Sequence, residues 1–251
     1  MDNERSDDMA GTIVHLAIAE KIYRYISDNN LRYCFDESLD IDENYFIAGN
    51  ICPDGIMARK NYVREMKLHT HFRDGIPDGT FGNPGTVELF EERMHAFWHN
   101  HLDDEKICPG LYLGYITHMM ADEKFILGKR NEFFEAISVT GLTDKDRETF
   151  VVFNEETDMV DYKIINDMSE ISEAKKSLER VEPYEIKGMI TKEELTDSRK
   201  WILNHFFYAE HELKEPVYLR YDGMRNFIEN VTDEIIERIV NEGYLTAEKL
   251  Q

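Results

Sequence analysis

Residues 111 to 127 read LYLGYITHMMADEKFIL, and this run is the most informative part of the 251-residue chain. Apolar side chains occupy most of its positions, which predicts a helix that is buried on most sides. His118 and Asp122 are four residues apart in the run, so a helix places both on one face. A buried carboxylate is costly unless it is paired or coordinated, and Asp122 therefore needs a partner.

Helical patterns continue on both sides of this run. The three-to-four residue recurrence of apolar side chains appears in four further stretches, at 12–27, 86–102, 191–211 and 224–242. Residues 138–171 differ, because a β-branched run around Val151 and Val152 is flanked by polar turns. This predicts a small irregular or hairpin insertion. The pattern as a whole predicts an all-α protein with a single helical domain over residues 1–251.

Charge and composition limit the possible partners. The chain has 51 acidic and 29 basic residues and a net charge of -22. Such a field repels nucleic acid and anionic lipid, so we expect neither nucleic-acid scaffold binding nor membrane docking. No stretch approaches the roughly 18 apolar residues that span a bilayer, and the first residues are acidic and polar. Three cysteines without a CxxC pair argue against a disulfide framework, which favours a cytoplasmic location.

Several histidines and aspartates occur where a helix or turn can direct them inward. His15 lies in the first turns of the helix predicted at 12–27, and Asp54 lies between Pro53 and Gly55 in a turn. Residues 67–84 are rich in Gly, Pro and Asp, which predicts a loop. This loop carries two histidines, His69 and His71. Imidazole and carboxylate groups together are the ligands of a catalytic divalent metal site.

The first half of the chain resembles the zinc-dependent phospholipase C family, and more closely an uncharacterised intracellular bacterial branch of it. Four motifs carry the resemblance in this order: VHLAIAEKI, FIAGNICPD, HTHF and LYLGYITHMMAD. They fall within residues 12–125. The resemblance implies an all-helical fold of the phospholipase C type, a cleft that holds up to three zinc ions, and activity on phosphodiester bonds.

The resemblance also implies a set of metal ligands. Carried over position by position, the ligands are His15, Asp54, His71, His118 and Asp122. Asp122 would bridge two metals, and we expect Asp54 and Asp122 to take part in catalysis. His69 competes with His71 for the position on the loop; the His-Phe pair at 71 and 72 favours His71, and the other histidine would then support the ligand from the second shell.

The third metal of the family lacks its ligands here. The sequence after Asp122, EKFILGKRNEFFEAI, contains no histidine, and His205, Glu210 and His211 do not share one helix face. We therefore expect two zinc ions, or two other divalent ions. A further group, His95, His99 and His101, lies in a polar segment and is more simply read as an exposed helix face.

These residues predict a metal-dependent hydrolase that attacks a phosphate ester or phosphodiester with a metal-activated water. Its partner would be a small phosphorylated substrate. The sequence contains no GxSxG elbow, phosphate-binding loop or dinucleotide fingerprint. One alternative is a helical phosphohydrolase of the HD type, although the chain has no His-Asp dipeptide. The other is a non-catalytic, metal-stabilised binding protein in which residues 138–171 contact the partner.

Overall fold

The computed structural model describes residues 10–76 and 78–247, so the acidic residues 1–9 lie outside it. Within the described ranges the chain forms eleven α-helices and two short strands. The helices are α1 (Thr12–Asp28), α2 (Glu43–Gly49), α3 (Arg64–Thr70), α4 (Thr86–Asn100), α5 (Leu102–Glu105), α6 (Leu111–Leu127), α7 (Lys129–Ile137), α8 (Arg147–Asp167), α9 (Ile171–Arg180), α10 (Lys192–Ile202) and α11 (Tyr221–Asn241). The strands are β1 (Leu31–Tyr33) and β2 (Leu245–Ala247).

The prediction of an all-α fold is confirmed. The helices expected at 12–27, 111–127 and 224–242 are observed as α1, α6 and α11, with bounds that differ by a few residues. β1 and β2 pair antiparallel, with Leu31 opposite Ala247. None of the helices in the described ranges has the length and apolar character needed to cross a membrane.

Helix α6 occupies the centre of the molecule. All of its residues are buried except Lys124 and Leu127. It packs closely against α2 because both helices have a glycine at their contact. An added Cβ atom at Gly49 would lie 2.9 Å from Cα of Gly114, and one at Gly114 would overlap the carbonyl oxygen of Phe46. Only glycine permits this approach, which brings the end of α2 against the middle of α6.

The predicted insertion at 138–171 is wrong. A short 3-10 turn is followed by α8, a helix of 21 residues, and then by the start of α9. The buried residues of α8 recur at helical spacing, and they are Thr149, Phe153, Glu156, Val160, Asp161 and Ile164. Half of them, Thr149, Glu156 and Asp161, are polar. Of the β-branched pair that suggested a strand, Val151 is 49% exposed and Val152 is half-buried against the core. Polar groups on the buried face therefore hid the helical period.

Two buried carboxylates on α8 explain why that face is polar. Asp161 accepts hydrogen bonds from the backbone N–H groups of Ile13 and Val14, at 3.2 and 3.3 Å, and so holds the start of α1. Glu156 accepts from three successive backbone N–H groups, at residues 217 to 219, over 2.7 to 3.0 Å. These carboxylates satisfy backbone donors that would otherwise be buried without a partner.

Two other boundaries differ from the prediction. The segment 67–84 is not entirely loop, because α3 extends to Thr70 and His71 follows as its C-terminal cap. The helix expected over 191–211 ends earlier: α10 continues as a π-helical turn, Leu203–Tyr208, and residues 209–211 are not helical. In both places the sequence pattern located the segment but not where its helix ends.

Candidate metal centre

His118 and Asp122 form the base of a buried cluster on α6. They lie one turn apart, and Nε2 of His118 is 3.3 Å from Oδ2 of Asp122. The Nδ1–H group of His118 donates to the carbonyl oxygen of Asn50 at 2.8 Å. Asn50 follows directly after Gly49, so the close approach of α2 and α6 puts this carbonyl within reach. With Nδ1 used in this way, Nε2 is the nitrogen that faces the carboxylate.

His71 and Asp54 approach the cluster from the chain between α2 and α4. Nε2 of His71 lies 3.3 Å from Oδ1 of Asp54 and 3.6 Å from Oδ2 of Asp122. The other ring nitrogen of His71 donates to the carbonyl oxygen of Lys67 at 2.8 Å. The hydroxyl group of Thr70 donates to the carbonyl oxygen of Pro53 at 2.9 Å, which ties the end of α3 to the 3-10 segment Pro53–Ala58 that carries Asp54.

His15 completes the cluster from the first turn of α1. Its ring stacks on that of His118, with centroids 3.8 Å apart and planes 13° apart. Its Nε2 atom lies 3.2 Å from Oδ1 of Asp122. The two oxygens of Asp122 therefore face different partners: Oδ1 faces His15, and Oδ2 faces His71 and His118.

The atoms that point into the cluster are left without hydrogen bonds. Within the described part of the chain, both oxygens of Asp122 and the Nε2 atoms of His15, His71 and His118 have no hydrogen-bond partner. Buried polar atoms rarely lack a hydrogen-bond partner, so a group of them that face one another indicates a site for an ion or another bound group. A cation satisfies this requirement, because all of these atoms can present lone pairs to it.

The spacing of these atoms fits a metal ion. Two groups have ligand atoms within 4.8 Å of one another: His15, His118 and Asp122, and Asp54, His71 and His118. Adjacent nitrogen and oxygen ligands of a tetrahedral zinc ion lie about 3.4 Å apart, and the contacts of His71 and His118 with the carboxylates are 3.3 to 3.6 Å. The donor set of imidazoles and carboxylates also suits a divalent ion.

Burial and charge act against each other in this cluster. Burial raises the pKa of Asp122, but His118 and His15 outweigh it and the pKa lies below the usual range of an aspartate. Burial also raises the pKa of Asp54. Lys67 and His71 outweigh it and hold this pKa well below its ordinary value. Both groups are therefore carboxylates at neutral pH, as metal ligands must be.

The three imidazoles respond differently to the same surroundings. Burial lowers the pKa of His15, and the neighbouring His118 lowers it further. Burial also lowers the pKa of His71, which the contact with Asp54 only partly offsets. At His118 burial acts in the same direction, but the two carboxylates raise its pKa above the ordinary value. His15 and His71 are therefore neutral near pH 7 and able to bind a metal.

Asp54 is the most exposed residue of the cluster, although its Oδ1 atom, which faces His71, is buried. Its side chain is 14% exposed, whereas those of the other four residues are 1 to 2% exposed. A separate cavity of about 370 Å³ opens between α6 and α11, where Met120 and Arg238 are among its lining residues. None of the five cluster residues lines it.

His69, the other candidate on the segment 67–84, is not part of the cluster. Its side chain is 60% exposed, and its Nδ1 atom lies 2.6 Å from Oδ2 of Asp74. His69 and His71 are two residues apart at the end of a helix, so their side chains leave α3 in different directions. The structure brings His71 to the cluster and leaves His69 at the surface.

The remaining histidines also lie outside the cluster. His95 contacts Glu242 and Tyr244, and His101 contacts Asp104. His99 is exposed. His211 stacks on Tyr162 and its Nε2 atom lies 2.6 Å from the carbonyl oxygen of His205, while Glu210 is exposed. Among the described residues, none of these belongs to a group that can hold a metal ion.

Two residues that contact the cluster were not predicted from the sequence. Lys67 is buried and its Nζ atom lies 2.8 Å from Oδ1 of Asp54. Asn50 orients His118 through its backbone carbonyl, and its side-chain oxygen accepts a hydrogen bond from Thr117 at 3.1 Å. The position of Lys67, four residues before His71, was a signal for a shared helix. The contact of Asn50 came from a backbone atom, which has no signature in the sequence.

The comparisons with known proteins identify no relative: no family model matches the chain, and neither a curated protein nor a solved structure matches it.

Proposed function

We propose that this chain is a metal-dependent hydrolase that acts on a phosphate ester or phosphodiester. The observation that supports it is the buried convergence of three imidazoles and two carboxylates whose inward-facing atoms lack hydrogen-bond partners. Divalent ions bound to such ligands supply an activated water and neutralise the charge of a phosphate group. Zinc suits the mixture of imidazole and carboxylate, and other divalent ions are alternatives.

The residues of the cluster divide the proposed task. His71, His118 and Asp54 would hold one ion together with Oδ2 of Asp122, while Oδ1 of Asp122 and His15 would contribute to a second. The single inward nitrogen of His118 can bind only one of the two ions. Asn50 and Lys67 would fix the tautomers of two ligands by accepting from Nδ1 of His118 and His71.

The resemblance of the first half of the chain to zinc-dependent phospholipases C supports the same reaction class. A third ion is not part of the proposal, because His205, Glu210 and His211 lie outside the metal-binding groups of the described residues. A small phosphorylated substrate would approach from the side of Asp54, the most exposed member of the cluster.

One observation favours a second candidate function, a non-catalytic protein that a metal ion stabilises. Four of the five cluster residues are buried to 1 or 2% exposure, as is usual for a structural site. Such a site contributes to folding but exposes no open position to a substrate. The HD-type phosphohydrolase has no comparable support.

Hydrolysis assays separate the two candidates. We expect the chain, stripped with chelator and reloaded with Zn²⁺, to hydrolyse bis(p-nitrophenyl) phosphate or p-nitrophenyl phosphate, and Asp122→Asn to lose both the metal and the activity. Asp74→Asn is the matched control, because it makes the same change at a side chain that is 55% exposed and outside the cluster. A metal-loaded wild-type chain that hydrolyses neither substrate, but melts at lower temperature without metal, would favour the stabilised binding protein.

A further inference from the structure

Lys67 is a buried cation directly beside the candidate metal centre. Its side chain is 8% exposed, and its Nζ atom lies 2.8 Å from Oδ1 of Asp54. Removing an ammonium group from water is unfavourable unless an anion compensates for the lost hydration. Asp54 supplies that compensation, so the lysine and the carboxylate stabilise each other in the folded chain.

The oxygen that contacts Lys67 is also the one that faces a metal-ligand histidine. Oδ1 of Asp54 lies 3.3 Å from Nε2 of His71, and both residues belong with His118 to a group that can hold an ion. An ion in that group would share the carboxylate with the ammonium. Two cations beside one carboxylate repel each other, and each weakens the attraction of the carboxylate for the other.

We propose that Lys67 competes with the metal ion for Asp54 and so lowers the metal affinity of the group Asp54, His71 and His118. This inference rests on the metal centre of the proposed function and adds a residue that regulates it. The ligand set alone would bind an ion more tightly than the chain does. Lys67 acts through Asp54 and is a positioning residue, not a metal ligand.

The side chain and the backbone of Lys67 have separable roles. The backbone carbonyl accepts from Nδ1 of His71 at 2.8 Å, and a side-chain substitution leaves that acceptor in place. Lys67→Met removes the ammonium but retains an unbranched apolar stem of similar length. Any change in metal affinity then reports on the charge beside Asp54 and not on the orientation of His71.

Cobalt titration of the chelator-stripped chain tests this inference. We expect Lys67→Met to lower the dissociation constant for Co²⁺ about tenfold or more, since one nearby charge changes the affinity for a cation by that order. Lys124→Met is the matched control. It removes the same charge from α6, where Lys124 pairs with Glu234 at 2.8 Å and is 36% exposed. The control should bind Co²⁺ as the wild type does.

A double-mutant cycle shows whether the effect passes through Asp54. In the background of Asp54→Asn, which removes the shared carboxylate, Lys67→Met should tighten Co²⁺ binding by a smaller factor than in the wild type, because only the direct repulsion between the two cations remains. Lys67→Gln provides the same measurement if Lys67→Met does not fold, and thermal melting of each variant checks that it is folded. The visible absorption of bound Co²⁺ gives the occupancy without any assay of activity.

Each outcome bears on the role of Lys67. Equal Co²⁺ affinity in the wild type and the Lys67 variants would overturn it, as would an undiminished gain in the Asp54→Asn background. A wild-type chain that binds no Co²⁺ would overturn both this inference and the metal centre. The expected gain in affinity without hydrolysis of a phosphodiester would support the role of Lys67 and overturn only the proposed hydrolase.

Discussion

His15 and His118 stack face to face, although they lie on helices α1 and α6. The stack directs their Nε2 atoms to opposite oxygens of one carboxylate, at 3.2 Å for His15 and 3.3 Å for His118. Asp122 therefore connects the ligands of both candidate ions. No other carboxylate among the described residues contacts three histidines of the cluster.

We expect Asp122→Asn to lose at least one metal ion per chain. The amide keeps the shape of the side chain but removes the negative charge that two neighbouring cations require. Elemental analysis of the purified variant measures the loss, and Asp74→Asn should retain the wild-type metal content. Full occupancy in Asp122→Asn would exclude a bridging role for this residue.

Replacement of the two neighbouring histidines should give opposite results. We expect His71→Ala to lose metal and His69→Ala to retain it, because His71 reaches two carboxylates while His69 is 60% exposed and contacts Asp74. Metal content per chain at matched pH is the measurement. Retention in His71→Ala together with loss in His69→Ala would show that the surface histidine is the ligand.

Removal of metal should lower the melting temperature of the wild-type chain. A ligand that binds only the native state stabilises it by mass action, and the cluster atoms are not preassembled in the unfolded chain. Differential scanning calorimetry with and without chelator measures the shift. Asp122→Asn is the control and should show a smaller shift than the wild type, whereas an unchanged melt of the metal-loaded wild type would contradict metal binding.

Gly114→Ala should destabilise the chain by about 1 to 3 kcal/mol, the usual cost of overpacking a core. The added methyl group would overlap the carbonyl oxygen of Phe46 and lie 3.0 Å from Cα of Gly49, which would separate α2 from α6. Urea denaturation measures the change. The matched control is Gly223→Ala in α11, where an added Cβ meets only Nζ of Lys129 at 3.6 Å. Equal stability of the two variants would contradict the tight crossing.

Asp161→Asn should destabilise the chain by about 1 to 3 kcal/mol. Asp161 accepts from two backbone N–H groups at the start of α1, and an amide would turn one acceptor into a donor that faces a donor. Urea denaturation measures this effect, and Asp233→Asn at an exposed position of α11 is the control. A wild-type free energy of unfolding for Asp161→Asn would show that these contacts contribute nothing.

Much of the fold and of the cluster could be predicted from local sequence. The apolar character of α6 specified a buried helix, and the four-residue spacing of His118 and Asp122 specified a common face. Convergence of His15, Asp54 and His71 on that face came from the order of motifs that resemble a known family. Periodicity alone could not bring together side chains from four separate segments.

The remaining features depend on contacts that local sequence does not contain. Helix α8 was mistaken for an insertion because Glu156 and Asp161 occupy its buried face, where they satisfy backbone donors of distant segments. Lys67 was overlooked since its partner, Asp54, is thirteen positions away across a turn and a helix. The orientation of His118 by Asn50 uses a main-chain oxygen, which any residue type would provide.

The way α1 is held has a consequence for the order of folding. His15 lies on α1, which packs on α2 and α6 and also on α8, α9 and α11, which come much later in the chain. The 3-10 segment Pro53–Ala58, which carries Asp54, packs on α10, so Asp54 as well as His15 depends on contacts with the second half of the chain. Formation of such distant contacts is slow compared with local helix formation. The cluster is therefore completed at a late stage of folding, and a metal ion that needs His15 is acquired by a chain that is almost native.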